Sequence, residues 1–257
     1  MIARVVASCS ADDRITAVFL GGSVARGDAD EYSDIDLCVI VADDAFDDVL
    51  AEREVLVRKI GEPLFVEDFG GDAVFVILAD GTELELNLFR ESDLGSIRSG
   101  PHRVLLDRHG ILADAVFPLP SRDQGTQVEE LRRILLWFWH DLGHLTTAIG
   151  RGRLWWAAGQ LEQLRGYCVN LSRIDQDVEP NDEPYWKLDD EISTEPLEAL
   201  RSTFCEIERD PLLRAARDVV TFFRERAPLI AERHGLVYPA ALDALISGHL
   251  DRLPSQA

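Results

Sequence analysis

The chain has 257 residues, 46% of them apolar, enough for one large domain or two ordinary ones with real cores. Its 47 acidic residues against 26 basic ones give a net charge of −21, which disfavours free binding to nucleic acid backbones. No run approaches the roughly eighteen uncharged apolar residues of a membrane helix, and the opening MIARVVASCSADDR meets two aspartates without a cleavage-site pattern, so the expectation is a soluble cytoplasmic protein.

Residues 2–14 read as a short leading helix and Ile15 to Leu20 as a β-branched strand. A helical turn over Ser23 to Ala29 follows Gly21-Gly22, and Asp34 to Val41 is the next strand. Asp43 to Ile60 repeats apolar residues at three and four and predicts one helix, stopped by Gly61-Glu62-Pro63. Leu64 to Phe69, Val74 to Ala79 and Glu83 to Phe89 predict three strands, the last two joined by an Asp80-Gly81 hairpin turn. Arg103 to Leu106 and Ile111 to Leu112 predict one more hairpin across Asp107 to Gly110. Phe117 to Ser121, rich in proline, is the expected linker, dividing the chain into domains 1–117 and 118–257. Beyond it Val128, Leu131, Leu135, Phe138, Leu142, Leu145 and Ile149 trace a long amphipathic helix, broken at Gly150-Arg151-Gly152. A second helix runs from Leu154 to Leu171 and pairs antiparallel with it. An acidic loop covers Asp175 to Asp190, and residues 196–209, 212–234 and 239–252 give three more helices. The fold class is therefore α+β: a mixed sheet flanked by helices, then a helical bundle.

The chemistry concentrates in Leu20 to Ile40. Alternate strand residues share a face, so Asp34 and Asp36 point the same way with Ile35 opposite. Two carboxylates so placed repel each other unless a divalent cation lies between them. The Gly-Ser turn upstream exposes backbone N–H groups that suit phosphates. A two-metal site needs a third acid from a neighbouring strand. Thr82 to Leu88 alternates strictly, with Glu83, Glu85 and Asn87 on one face; Glu85 is the choice and Glu83 the reserve.

Gly22-Ser23-x-x-Arg26, then Asp34-Ile35-Asp36, then an acid on a later strand, resembles the nucleotidyltransferase superfamily of DNA polymerase β type. Within it the chain is most similar to the small-molecule branch, the aminoglycoside and lincosamide nucleotidyltransferases, which carry a helical C-terminal domain. The motifs cover Leu20 to Leu88; the helical half matches in general layout alone. The resemblance implies that Asp34, Asp36 and Glu85 are catalytic and hold two Mg²⁺ ions, and that Gly22, Ser23 and Arg26 hold the triphosphate. It implies AMP transfer from ATP to a hydroxyl of a small molecule, an aminoglycoside-like antibiotic being the first expectation, with release of pyrophosphate. Partners are then a nucleoside triphosphate and a hydroxyl-bearing acceptor met by the helical domain, with no nucleic acid and no membrane; a homodimer is compatible with such sites. The rival readings are an antitoxin-type enzyme that adenylylates a protein and a catalytically silent nucleotide sensor.

Most of the acidic excess, with Lys59 and Lys187 as the only lysines, suits a high-salt cytoplasm, and a local acidic patch for a cationic acceptor is the other reading. Two features of the helical half stand apart. His140 and His144 are spaced i,i+4 as in zinc helices, but Asp141 replaces the glutamate base and no third ligand is evident, so the segment reads as a polar helix face. Trp137, Trp139, Trp155 and Trp156 read mostly as core.

Overall fold

A computed structural model describes residues 1–68, 70–118 and 124–254. The chain divides into two compact units, Met1–Ser121 and Arg122–Ala257. The linker expected at Phe117 to Ser121 lies outside the described residues from Leu119 onward, as does Phe69 at the end of its expected strand.

The first unit runs α1 (Ile2–Ser10), β1 (Ile15–Leu20), α2 (Gly22–Arg26), β2 (Ile35–Val41), α3 (Phe46–Ala51), α4 (Arg53–Ile60), β3 (Pro63–Asp68), β4 (Ala73–Leu78), β5 (Glu83–Arg90) and β6 (Arg103–Asp107). The six strands form one sheet in the order β3-β4-β5-β2-β1-β6. β2 and β5 are parallel and every other neighbouring pair is antiparallel, so the sheet is mixed as expected. Pleating sorts the side chains into two sets. Leu37, Val39 and Val41, with Leu84, Leu86 and Leu88, are buried together with Val5, Cys9, Leu56 and Ile60 of the helices. On the opposite face Ala17, Phe19, Cys38 and Ile40 meet Ile97, Leu112 and Phe117. Phe117, expected in the linker, is core here, its ring stacked 5.0 Å from Phe19.

Two expectations change. The single helix over Asp43 to Ile60 is a 3₁₀ turn (Asp43–Ala45) followed by α3 and α4, which part at Glu52. At the break Arg14 pairs with Glu52 at 2.8 Å, and beside it Arg53 donates to the Leu50 carbonyl at 2.8 Å. The hairpin across Asp107 to Gly110 does not form. β6 pairs with β1 instead. The Asp107 carboxylate accepts from the backbone N–H groups of Ile111 and Leu112, both at 3.0 Å, and so holds them in a turn.

The second unit contains α5 (Gln124–Gly150), α6 (Leu154–Asp175), α7 (Leu188–Glu191), α8 (Thr194–Arg201), α9 (Arg209–Arg233) and α10 (Ala240–Asp251). One apolar cluster joins α5, α6 and α9, with Phe138 and Phe223 stacked 3.7 Å apart at its middle. Of the four tryptophans expected mostly in the core, only Trp139 is fully buried. Trp137, Trp155 and Trp156 are 48%, 81% and 36% exposed, because the apolar stripe of each helix is already filled by aliphatic residues and Phe138. Among the described residues no helix is long and apolar enough to cross a membrane.

Candidate active site

The turn between β1 and α2 is built on glycine. Gly22 has φ +54, a conformation that L side chains rarely adopt. A Cβ placed there would lie 1.7 Å from Asp36 Oδ2, so the backbone and this carboxylate are in direct apposition. Gly21 donates its N–H to the Asp36 carbonyl at 2.9 Å, which carries the sheet ladder into the turn. Gly27, at φ +85, closes α2 by donating to the Ser23 carbonyl at 2.9 Å. The loop that leads back to β2 is braced by Asp30, whose carboxylate accepts from the Tyr32 N–H and the Ser33 hydroxyl, each at 3.0 Å.

The acids come together through strand register. β2 and β5 run parallel with Asp36 opposite Glu85 and Cys38 opposite Asn87, all on one face. Both acids are half-buried, and Asn87 donates to Glu85 Oε1 at 3.0 Å. Cys38 reports their shared charge: its thiol is pushed up to about 12 by burial first, then by the negative charge of Asp36 and Glu85. Asp34, half-buried, lies one residue ahead of β2 rather than within it. Glu83 is exposed at the start of β5. Arg26 is exposed and its Nε donates to Asp28 at 3.1 Å.

Two hydroxyls beside this turn are buried and have no hydrogen-bond partner among the described residues, Ser23 Oγ and Ser99 Oγ. Such a group costs about 1–3 kcal/mol, which a ligand that accepts from it recovers. Ser99 was not evident in the sequence. It sits in the irregular segment between β5 and β6, and only the fold brings its Cβ to 3.9 Å from where a Cβ of Gly21 would be. The donor set fits the groups expected of it. Asp34, Asp36 and Glu85 offer hard carboxylate oxygens of the kind Mg²⁺ prefers. Gly22 lets the Asp36 carboxylate lie against the turn backbone, and Ser23 offers a donor suited to a phosphate oxygen.

In the helical unit, Asp141 is nearly buried and accepts from the Tyr167 hydroxyl at 2.9 Å and pairs with His140 Nδ1 at 2.8 Å. Glu162 is tied to Arg165 and lines an open cavity of about 650 Å³ with Arg133, Asp182, Tyr185 and Trp186.

Residues 2–92 match the family model described as a nucleotidyltransferase domain. No curated protein sequence matches the chain. Among solved structures, an aminoglycoside 6-adenyltransferase from Bacillus subtilis aligns over 97% of this chain and 96% of its own, at 16% identity and a TM-score of 0.48. A nucleotidyltransferase-like protein from Exiguobacterium sibiricum aligns over 90% and 76%, at 13% identity and a TM-score of 0.40. A cyclic dinucleotide synthase from Elizabethkingia meningoseptica aligns over 94% and 80%, at 15% identity and a TM-score of 0.29.

Proposed function

We propose that this chain, whose residues 2–92 form a nucleotidyltransferase domain, transfers AMP from ATP to a hydroxyl of a small acceptor and releases pyrophosphate. The observation that carries the reading is the parallel register that sets Asp36 beside Glu85, with Gly22 against the Asp36 carboxylate. Asp34, Asp36 and Glu85 are the residues assigned to hold Mg²⁺. Bound divalent ions would stabilise the attacking and leaving oxygens of an in-line displacement.

The chain's own groups divide the remaining work. Gly22 offers turn backbone to the triphosphate, and its missing Cβ makes room for the Asp36 carboxylate. The Ser23 hydroxyl donates to a phosphate oxygen and so gains the partner it lacks within the protein. Arg26 supplies positive charge on the next helical turn. The acceptor oxygen forms its bond to the α-phosphorus as the bond to the β-phosphate oxygen breaks, with Glu85 either on the metal nearer the attacking hydroxyl or taking its proton. A local acidic patch would suit a cationic acceptor, and an amino sugar of the aminoglycoside type combines positive charge with many hydroxyls.

The test is pyrophosphate release from ATP and Mg²⁺ against a panel of hydroxyl acceptors, aminoglycosides first. Turnover with one acceptor class, lost in Asp36→Asn, is the expected result. Activity that survives in Asp36→Asn overturns the metal assignment. Tight ATP binding with no turnover against small acceptors or proteins points instead to a nucleotide sensor.

A further inference from the structure

We propose that the helical unit holds a second metal site, selective for borderline transition ions of the Zn²⁺, Ni²⁺ and Cu²⁺ class, in which His140 and His144 are the protein ligands and Asp141 orients His140. Three observations carry it. First, the i,i+4 spacing on α5 places both imidazoles on one helix face, with ring centroids 4.4 Å apart. One ligand atom from each of His140, Asp141 and His144 lies within 4.8 Å of the others. Two nitrogens that each bond zinc at roughly 2.0–2.1 Å lie about 3.3 Å apart, and both histidines are exposed, so side-chain rotations bring the ligand atoms into that range.

Second, the tautomer is set. His140 Nδ1 lies 2.8 Å from Asp141 Oδ1. An ionised carboxylate only accepts, so Nδ1 carries the hydrogen and Nε2 keeps its lone pair for a metal. A carboxylate behind a metal-binding histidine is a common way of fixing ring and tautomer. Third, the orienting carboxylate is itself fixed. Asp141 is only 9% exposed, and its Oδ2 accepts from the Tyr167 hydroxyl of α6 at 2.9 Å. A simple solvated helix face would not need this buried brace. Nitrogen donors favour the borderline ions over Mg²⁺, and water fills the remaining positions.

The proposal does not rest on the transfer chemistry, and its test can be kept separate from it. The full-length protein is titrated with ZnCl₂ by calorimetry in excess Mg²⁺. The expected result is one Zn²⁺ per chain, unaffected by Mg²⁺ and retained in Asp36→Asn. Affinity should fall at least about 100-fold in His140→Ala and in His144→Ala, and about 10- to 100-fold in Asp141→Asn. Trp137 and Trp156 have ring centroids 4.8 and 5.8 Å from His140 and His144, so Cu²⁺ should quench indole emission in the native chain but not in the double His→Ala variant. Long-range ¹H–¹⁵N spectra should show His140 as the Nδ1–H tautomer, lost in Asp141→Asn; packing alone would not move that signal. Equal Zn²⁺ binding by the native chain and the double variant, or displacement of Zn²⁺ by Mg²⁺, overturns the proposal.

Discussion

The two units gather ionisable groups in different ways. In the sheet unit, Asp36 and Glu85 are far apart in sequence and meet only because β2 and β5 pair in parallel register. In the helical unit, His140, Asp141 and His144 lie within about one turn of α5, with Tyr167 of α6 fixing the Asp141 carboxylate. The first cluster depends on the whole domain and offers oxygen donors to a hard cation. The second is set out along one helix and offers nitrogen. A cluster made by long-range register is exacting in geometry, as in-line displacement requires, whereas a local cluster tolerates variation in the fold around it.

The largest expected effect tests the register itself. Asp36→Asn and Glu85→Gln should each lower the rate of pyrophosphate release by about 10²–10³-fold or more, the size of losing several kcal/mol of transition-state stabilisation. Glu83→Gln should cost at least about tenfold less than Glu85→Gln, because Glu83 is exposed and paired in register with Ile77 of β4. Steady-state kinetics on the three variants, with circular dichroism as the fold control, reads the difference. Equal losses at Glu83 and Glu85 would break the assignment of β5.

Next comes the turn that presses against Asp36. Gly22→Ala places a methyl group at 1.7 Å from Asp36 Oδ2 and a side chain at φ +54. The backbone term alone costs about 1–2 kcal/mol, so thermal stability should drop by several degrees and activity should be lost with it. A variant of native stability and activity would show that the apposition is not needed.

The sequence reveals some of this arrangement and hides the rest, for physical reasons. The β4–β5 hairpin is written locally in Asp80-Gly81, where Gly81 takes φ +84 and the Asp80 carboxylate accepts from the Thr82 N–H. Alternation singled out Glu83, Glu85 and Asn87, but only the pairing with β2 distinguishes Glu85 as the residue opposite Asp36. No periodicity encodes that register, since it joins strands across an intervening crossover. The same limit hid Ser99, which lies in no regular element, and the break at Glu52, whose partner Arg14 comes from outside the helical pattern. Around Asp141 the difficulty was of another kind. Judged as a replacement for a catalytic glutamate it looked deficient; its use as the carboxylate behind His140 needs Tyr167, 26 residues away, to be seen in place.

A smaller effect separates binding from folding. Ser23 Oγ is buried without a partner, so Ser23→Ala should leave the ligand-free protein as stable as before or raise its stability by up to about 1 kcal/mol. The same change should weaken ATP binding by about tenfold, the worth of a hydrogen bond to a charged phosphate. Thermal melts with and without ATP read both signs at once. A loss of stability without ATP would mean that the hydroxyl already has a structural role.

The smallest expected effect lies at Arg26, at the outer edge of the same cluster. Its guanidinium pairs with Asp28 on the surface, with the two side chains 43% and 60% exposed. An exposed pair of this kind is worth about 0–1 kcal/mol, so Arg26 can leave Asp28 for a phosphate at little cost. Arg26→Ala should therefore raise KM for ATP by no more than about fivefold, with kcat unchanged and the effect fading as salt rises. Asp28→Asn should act in the opposite direction, because it frees Arg26 from its competitor. Opposite shifts in KM from these neighbouring changes would place the guanidinium on the nucleotide. If neither variant moves KM, Arg26 is a surface arginine, and the triphosphate is held by the Gly22-Ser23 turn and the carboxylate-bound ions alone.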